Sequence, residues 1–315
     1  MRRPLIILGL TVTLFAAGTA VAAEPSVVLD KAGVNELRPS ASEGYLVWSA
    51  NSLAHPRRTN SYLRPDGESK IQVNPAGTQS FGASIDGTTV VYQEVGLEDA
   101  DLGLFDAVSQ TRSPMPDGVN TRNFESNPTL SGDWLLFTRT NLNRVDFADA
   151  RVSVILFNMA TQQHIVLRTL DEDSNYLASD QVSGDYATFE SCRWDPEADR
   201  YSNCQAFLYE ISTQELDRIE NPGLQQYSAG VTDDGTVYVV RSGGPRYWHC
   251  GTNARIVRYP EGGPGVVIAR LNLPRDALNT FALEEAGGST SLYLGRLNCE
   301  TGAAGLYVVR DAEGA

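Results

Sequence analysis

From residue 24 onward, short β-branched and aromatic runs alternate with clusters of Gly, Asp, Asn and Ser, and convincing amphipathic helical spacing is almost absent. That pattern predicts strands joined by tight turns. One phrase recurs six times: a glycine-containing turn, then a strand with a large apolar residue about five places on. The instances are Gly44 to Trp48, Asp86-Gly87 to Tyr92, Gly132-Asp133 to Phe137, Gly184-Asp185 to Phe189, Asp234-Gly235 to Val240 and Gly287-Gly288 to Tyr293. The large residues are 44, 45, 52, 51 and 53 positions apart. A strand-rich repeat of that length predicts the four-stranded blades of a β-propeller.

Each unit continues with a variable polar loop, a third strand, a turn and a fourth strand. Expected third and fourth strands are Val152–Met159 and His164–Leu170, Ala206–Ile211 and Leu216–Ile219, and Arg255–Tyr259 and Val266–Leu271. The last unit ends on a third strand, Gly305–Arg310, and Ser26–Leu29 is available at the other end to complete it. Such a pairing would leave no open sheet edge. The expected fold is therefore an all-β, six-bladed propeller of four-stranded antiparallel blades, with the N-terminal strand closing the last blade. One domain, 24–315, follows a leader at 1–23.

The repeats Asn127-Pro128-Thr129-Leu130-Ser131-Gly132-Asp133-Trp134 and Ser84-Ile85-Asp86-Gly87 carry a resemblance. Their proline, small residue, Asp-Gly turn and apolar strand are similar to the units of TolB-like six-bladed propellers of the PD40/WD-like repeat family. The Trp-Ser-Pro-Asp-Gly form of that family is absent, as is its extra N-terminal α/β domain. The resemblance implies a propeller fold and a cell-envelope habit of binding other proteins.

Composition narrows the setting. Arg2 and Arg3, an apolar run from Leu5 to Ala17, and Ala20-Val21-Ala22 read as a cleavable secretory signal. Its removal takes away two arginines and moves the formal charge from −14 to −16. That acidity weighs against nucleic acid, whose phosphates call for a basic surface, and against anionic lipid. The protein is expected in the periplasm or secreted, monomeric, with no membrane span once the signal is cleaved.

Four cysteines in an exported chain point to two disulfides. Within the repeat, Cys192 ends a second strand and Cys204 begins the next, while Cys250 and Cys299 occupy equivalent positions in neighbouring units. Cys192–Cys204 and Cys250–Cys299 are therefore favoured over pairing Cys192 with Cys250 or Cys299. All four lie at the loops between second and third strands, which share one face of a propeller.

The same loops hold the candidate ligand-binding residues: Arg57, Arg58, Arg193, Trp194, Tyr201, Arg246, Tyr247, Trp248 and His249. Arg, Trp and Tyr dominate protein interfaces, and aromatic rings beside Arg also suit sugars. Trp194 and Trp248 are equally suited to packing beneath the disulfides. Acidic runs at 98–101 and 171–173 lack the alternating ligands of a calcium loop.

There is no Gly-x-Ser-x-Gly elbow, no His-Glu-x-x-His zinc motif and no phosphate loop. No catalytic residue, metal or cofactor is assigned. The expected function is an exported binding or scaffolding module that recognises a protein or envelope glycan through its loop face. The alternative is a carbohydrate-active lyase or glycosidase with carboxylates, gathered from distant units, or His249 at the channel mouth.

Overall fold

The computed structural model describes residues 26–96, 99–141, 151–171, 175–195, 197, 200–219, 225–242, 254–260, 263–271 and 276–311. The leader, and with it the cleavage site, lies outside them. Every regular element among the described residues is a strand, and no helix there is long and apolar enough to cross a membrane.

The chain opens with β1 (Ser26–Leu29). Then come β2 (Val34–Ser42), β3 (Tyr45–Ser52), β4 (His55–Pro65) and β5 (Ile71–Gln72), which form one antiparallel sheet in that order. The next eight strands are β6 (Ala83–Asp86), β7 (Thr89–Val95), β8 (Ala100–Asp106), β9 (Thr111–Ser113), β10 (Phe124–Ser131), β11 (Trp134–Asn141), β12 (Arg151–Asn158) and β13 (His164–Asp171). Two further four-stranded sheets follow. One is β14 (Asn175–Ser183), β15 (Tyr186–Asp195), β16 (Arg200–Glu210) and β17 (Glu215–Arg218). The other is β18 (Gln225–Val231), β19 (Val237–Ser242), β20 (Ala254–Tyr259) and β21 (Val266–Leu271). Last come β22 (Asp276–Ala286), β23 (Ser289–Asn298) and β24 (Ala304–Asp311), and β1 pairs antiparallel with β24, Val27 opposite Tyr307.

The arrangement is that of a β-propeller, with one departure from six separate sheets. Among the described residues there are four four-stranded sheets and one of eight strands. The large sheet runs β6 to β9 and β10 to β13 together through a single parallel bridge, Phe124 to Ala100. The repeat predicts units; it carries no information on whether the innermost strand of one touches an edge of the next.

Apolar residues fill the spaces between successive units. Trp48, Leu46 and Ala50 of β3 meet Leu306 of β24, with Val28 and Leu29 of β1 against them. Val47 and Leu63 meet Val90 and Tyr92. Val91 and Leu102 meet Phe137 and Ile155, and Val154 and Leu156 meet Phe189 and Leu177. Ala206 packs with Val237 and Val239, and Tyr238 and Ile256 with Leu292 and Leu294. Five of the six large residues of the repeat are buried: Trp48 is 2% exposed, Tyr92 3%, and Phe137, Phe189 and Val240 0%, while Tyr293 of the last unit is partly buried. Each such side chain contributes about 1.5–3 kcal/mol by leaving water.

The hairpin turns of adjacent units are tied together. Gly87 N donates to Ser42 Oγ (3.0 Å), Gly132 N to Asp86 Oδ2 (2.7 Å) and Gly184 N to Ser131 Oγ (3.1 Å). Further round, Ser183 Oγ donates to Asp233 Oδ1, and Asp233 N to Glu285 Oε2 (2.8 Å). Gly184 sits at φ 52°, and a β-carbon there would also stand 3.1 Å from the Asp233 carboxylate. Only glycine meets both demands at no strain.

Cys192 and Cys204 form the expected disulfide. Neither cysteine marks a strand end, as the sequence suggests: β15 runs on to Asp195 and β16 already begins at Arg200, so the bridge joins paired strands. No described cysteine is free. Cys250, the expected partner of Cys299, lies outside the described residues.

Candidate functional site in the central channel

The innermost strands β2, β6, β10, β14, β18 and β22 pack against one another in turn, and β22 packs on β2. Between them lies a cavity of about 290 Å³, lined by Arg38 to Ser40, Gly82 to Ile85, Asn127 to Leu130, Tyr176 to Val182 without Leu177, Glu190, Ser228 and Thr280 to Leu283. Its size is at the small end of the range for small-molecule sites, roughly 300 Å³ upward.

Bulges shape its wall. On β2, Leu37 pairs with Ser49 and Ser40 with Val47, so Arg38-Pro39 stand together against Trp48. On β10, Ser126 pairs with Thr138 and Thr129 with Leu136, leaving Asn127-Pro128 against Phe137. The same device, a left-handed residue followed by proline, serves both strands: φ is 51° at Arg38 and 50° at Asn127. Proline suits the unpaired position because it has no N–H to satisfy. Ser228, in the bulge of β18, has φ 47°. Three non-glycine residues in a strained conformation thus line one cavity, a distribution associated with functional sites.

Arg38 crosses the channel. Its backbone N–H donates to Thr280 Oγ1 of β22 (3.0 Å) and its guanidinium to Asn127 Oδ1 of β10 (2.7 Å). The side chain passes beside Gly82, where a β-carbon would meet the guanidinium nitrogen at 3.2 Å. Arg38 remains exposed to the channel space.

On the wall formed by β14, β15 and β18 stand two carboxyls. Glu190, 4% exposed, accepts the Ser228 N–H and the Tyr176 hydroxyl. Asp180, the extra residue of the β14 bulge, accepts the Ala229 N–H, while its Oδ2 is buried and meets no donor among the described residues. Burial and the neighbouring Glu190 charge push the Asp180 carboxyl well above the usual carboxylate range. Burial raises Glu190 to about 7 against the hydrogen bonds from Ser228 and Tyr176. Burial, then the two carboxyls, raise the Tyr176 phenol, and Arg38 opposes them. Tyr176 keeps 38% of its surface open, because it is ringed by protein yet faces the channel space. The pair therefore holds a proton near neutral pH.

Tyr176, which lines the cavity, stands near the start of β14, beside the β15–β16 hairpin. Asn175 pairs with Arg193 and Tyr176 with Cys192, so the disulfide backs the strand that carries Tyr176.

The sequence-predicted residues divide into three groups. Arg57 and Arg58 lie on β4, in a hairpin turning directly after Ser52, and not in a loop; both are exposed. Arg193, Trp194 and Tyr201 also lie on strands, Trp194 opposite Tyr201 and Arg193 opposite Ser202; Arg193 is exposed. Arg246, Tyr247, Trp248 and His249 lie outside the described residues. Arg38, Asn127, Tyr176, Asp180 and Glu190 were not singled out. In sequence they are isolated polar residues in strands; the repeated Arg38-Pro39 and Asn127-Pro128 steps are a signal that could have marked two of them. Among the described residues no three His, Cys, Asp or Glu side chains are grouped to hold a metal.

No family model and no curated protein matches the sequence. Among solved structures, the chain is similar to TolB from Acinetobacter baumannii at 15% identity and TM-score 0.51, over 91% of this chain and 65% of that one. It is similar to the β-propeller domain of the trilobed protease from Pyrococcus furiosus at 10% identity and TM-score 0.51, covering 89% of this chain and 82% of that. The acylaminoacyl peptidase of Pyrococcus horikoshii gives 10% identity and TM-score 0.54, over 87% of this chain and 44% of the peptidase. The chain therefore spans less than two thirds of that TolB and under half of the peptidase. At these identities the likeness establishes one thing: the chain has the β-propeller fold.

Proposed function

We propose that the protein is an exported, monomeric binding module on a closed six-bladed propeller, engaging a protein or envelope glycan at the loop face and the central channel. The eight-stranded sheet counts as two blades, since a single bridge joins its halves. The β1–β24 pairing and the apolar packing of Trp48 on Leu306 support closure between first and last blade. A structural disulfide fits an oxidising compartment. The observation that carries the binding reading is the channel itself, where Arg38 and the Asp180–Glu190 pair line one cavity and, among the described residues, form no ion pair with each other.

Envelope extracts or a glycan array, presented to wild type, Arg193→Ala and Tyr176→Ala, test it. Binding should fall tenfold or more in at least one variant. Capture undiminished in both removes the face and the channel together.

A second reading has a specific observation behind it. Two adjacent buried carboxyls, both raised and one of them to about 7, can serve as general acid and base in a carbohydrate-active enzyme. Turnover of uronate-containing or neutral oligosaccharides, abolished by Glu190→Gln, would replace the binding reading with this one.

A further inference from the structure

We propose that the channel binds a small zwitterion of the size of an amino acid or dipeptide, its ammonium on Asp180 and Glu190 and its carboxylate on Arg38. This deepens the channel half of the proposed function and rests on that half alone.

Three features point to this chemistry. The first is the cavity, about 290 Å³, which suits a ligand of a dozen or so heavy atoms and not a polymer. The second is an acceptor with nothing to accept: Asp180 Oδ2 is buried and lacks a donor among the described residues. A buried oxygen of this kind costs about 1–3 kcal/mol unless something supplies a hydrogen bond, and an ammonium supplies three. The third is the Arg38 guanidinium, which lines the same cavity. It donates to the neutral Asn127, the Arg38 backbone N–H donates to Thr280, and among the described residues no carboxylate forms an ion pair with it. Guanidinium forks match carboxylates in geometry. The left-handed backbone at Arg38 and Asn127 is the strain through which that position is held.

The ionisable groups facing the site are few. Arg38 comes from β2, Tyr176 and Asp180 from β14, and Glu190 from β15. β18 presents the N–H groups of Ser228 and Ala229. The lining residues of β6, β10 and β22 are Gly82 to Ile85, Asn127 to Leu130 and Thr280 to Leu283, none of them ionisable. An ammonium seated between the carboxyls favours their charged forms, so binding near pH 7 expels a proton from the pair to solvent.

Calorimetric titration of the full chain decides the matter, with L-alanyl-L-alanine, its N-acetyl derivative and its C-terminal amide as probes. The dipeptide should bind, and each blocked form should bind at least tenfold more weakly. Repeating the titration in buffers of different ionisation heat should show about one proton released near pH 7. Arg38→Gln, at an exposed side chain, should weaken the dipeptide tenfold or more while the thermal melt stays that of wild type. Asp180→Asn should weaken the dipeptide as much, and its melt should not fall below that of wild type. Equal binding of the acetylated or amidated form would overturn the proposal. So would proton uptake, undiminished affinity in Arg38→Gln, or no heat from the dipeptide, glycine or lysine at millimolar concentration. A failed titration leaves loop-face recognition of a macromolecule standing. An extract or array experiment without a partner leaves the titration result untouched.

Discussion

Two neighbouring units each bury a glutamate at the inner hairpin, and they treat it differently. Glu125, on β10, is 0% exposed, accepts the Arg139 Nε–H at 2.8 Å and the Thr121 hydroxyl at 2.8 Å, and so closes the segment before its strand onto the sheet. Arg139 goes on to donate to the Gly118 and Val119 carbonyls (3.0 and 2.6 Å). Glu190, on β15, is 4% exposed and has a backbone N–H, a phenol and a second carboxyl for neighbours. Burial raises both acids, but at Glu125 Thr121 and Arg139 pull against it. A carboxylate with its own cation is a joint in the structure. Two carboxyls without one, in a wall open to solvent, make a site.

Mutations should separate the two in sign as well as size. Glu125→Ala strands the Arg139 guanidinium, whose side chain is only 15% exposed, and should destabilise by about 3–4 kcal/mol in denaturant melts. If the loss is under about 1 kcal/mol, Glu125 is no joint.

Next in size is the disulfide, which pins β15 two residues beyond Glu190. Replacing Cys192 and Cys204 by serine frees a loop of separation 12 and should lower stability by about 3 kcal/mol. It should also let Glu190 titrate lower, as the wall around it relaxes.

Glu190→Gln should run the other way. The folded pKa, about 7, stands above the ordinary 4.5, so between those values the folded protein holds a proton the unfolded chain has given up. Stability from this group is complete below about 4.5 and declines as pH rises through about 7. The amide variant should match wild type near pH 5 and exceed it by about 1–2 kcal/mol above pH 7, in melts run as a pH series. The smallest effect belongs to the turn belt. Ser183→Ala removes one bond to Asp233 and should cost about 0.5–1 kcal/mol without changing the pH series.

Much of the framework was legible because it repeats. The turn glycines at 44, 87, 132, 184, 235 and 287–288 all take positive φ, a demand that shows at the residue level. Ser26–Leu29 is the strand expected from an unfinished last unit, and Cys192–Cys204 was legible from their places in consecutive strands of one unit, although both strands run on past the bridge. The bridge from Phe124 to Ala100 was not legible, since one backbone contact between units leaves no compositional trace. Arg57 and Arg58 looked like loop residues because β4 is polar at its outer end, where alternation has nothing apolar to face. The channel residues escaped for a different reason. Asp180 and Glu190 meet through a bulge that shifts register by one residue, and a bulge turns a side chain that simple alternation would place elsewhere.

The distinction between the two glutamates is tested most directly by carboxyl-selective carbon NMR across pH 3 to 9, with Glu190→Gln as the assignment control. The account predicts a carboxyl resonance titrating near 7 that the substitution removes. If every carboxyl has titrated below pH 5 and the variant spectrum differs only by one ordinary glutamate, the channel wall is compensated and the account of the site is wrong.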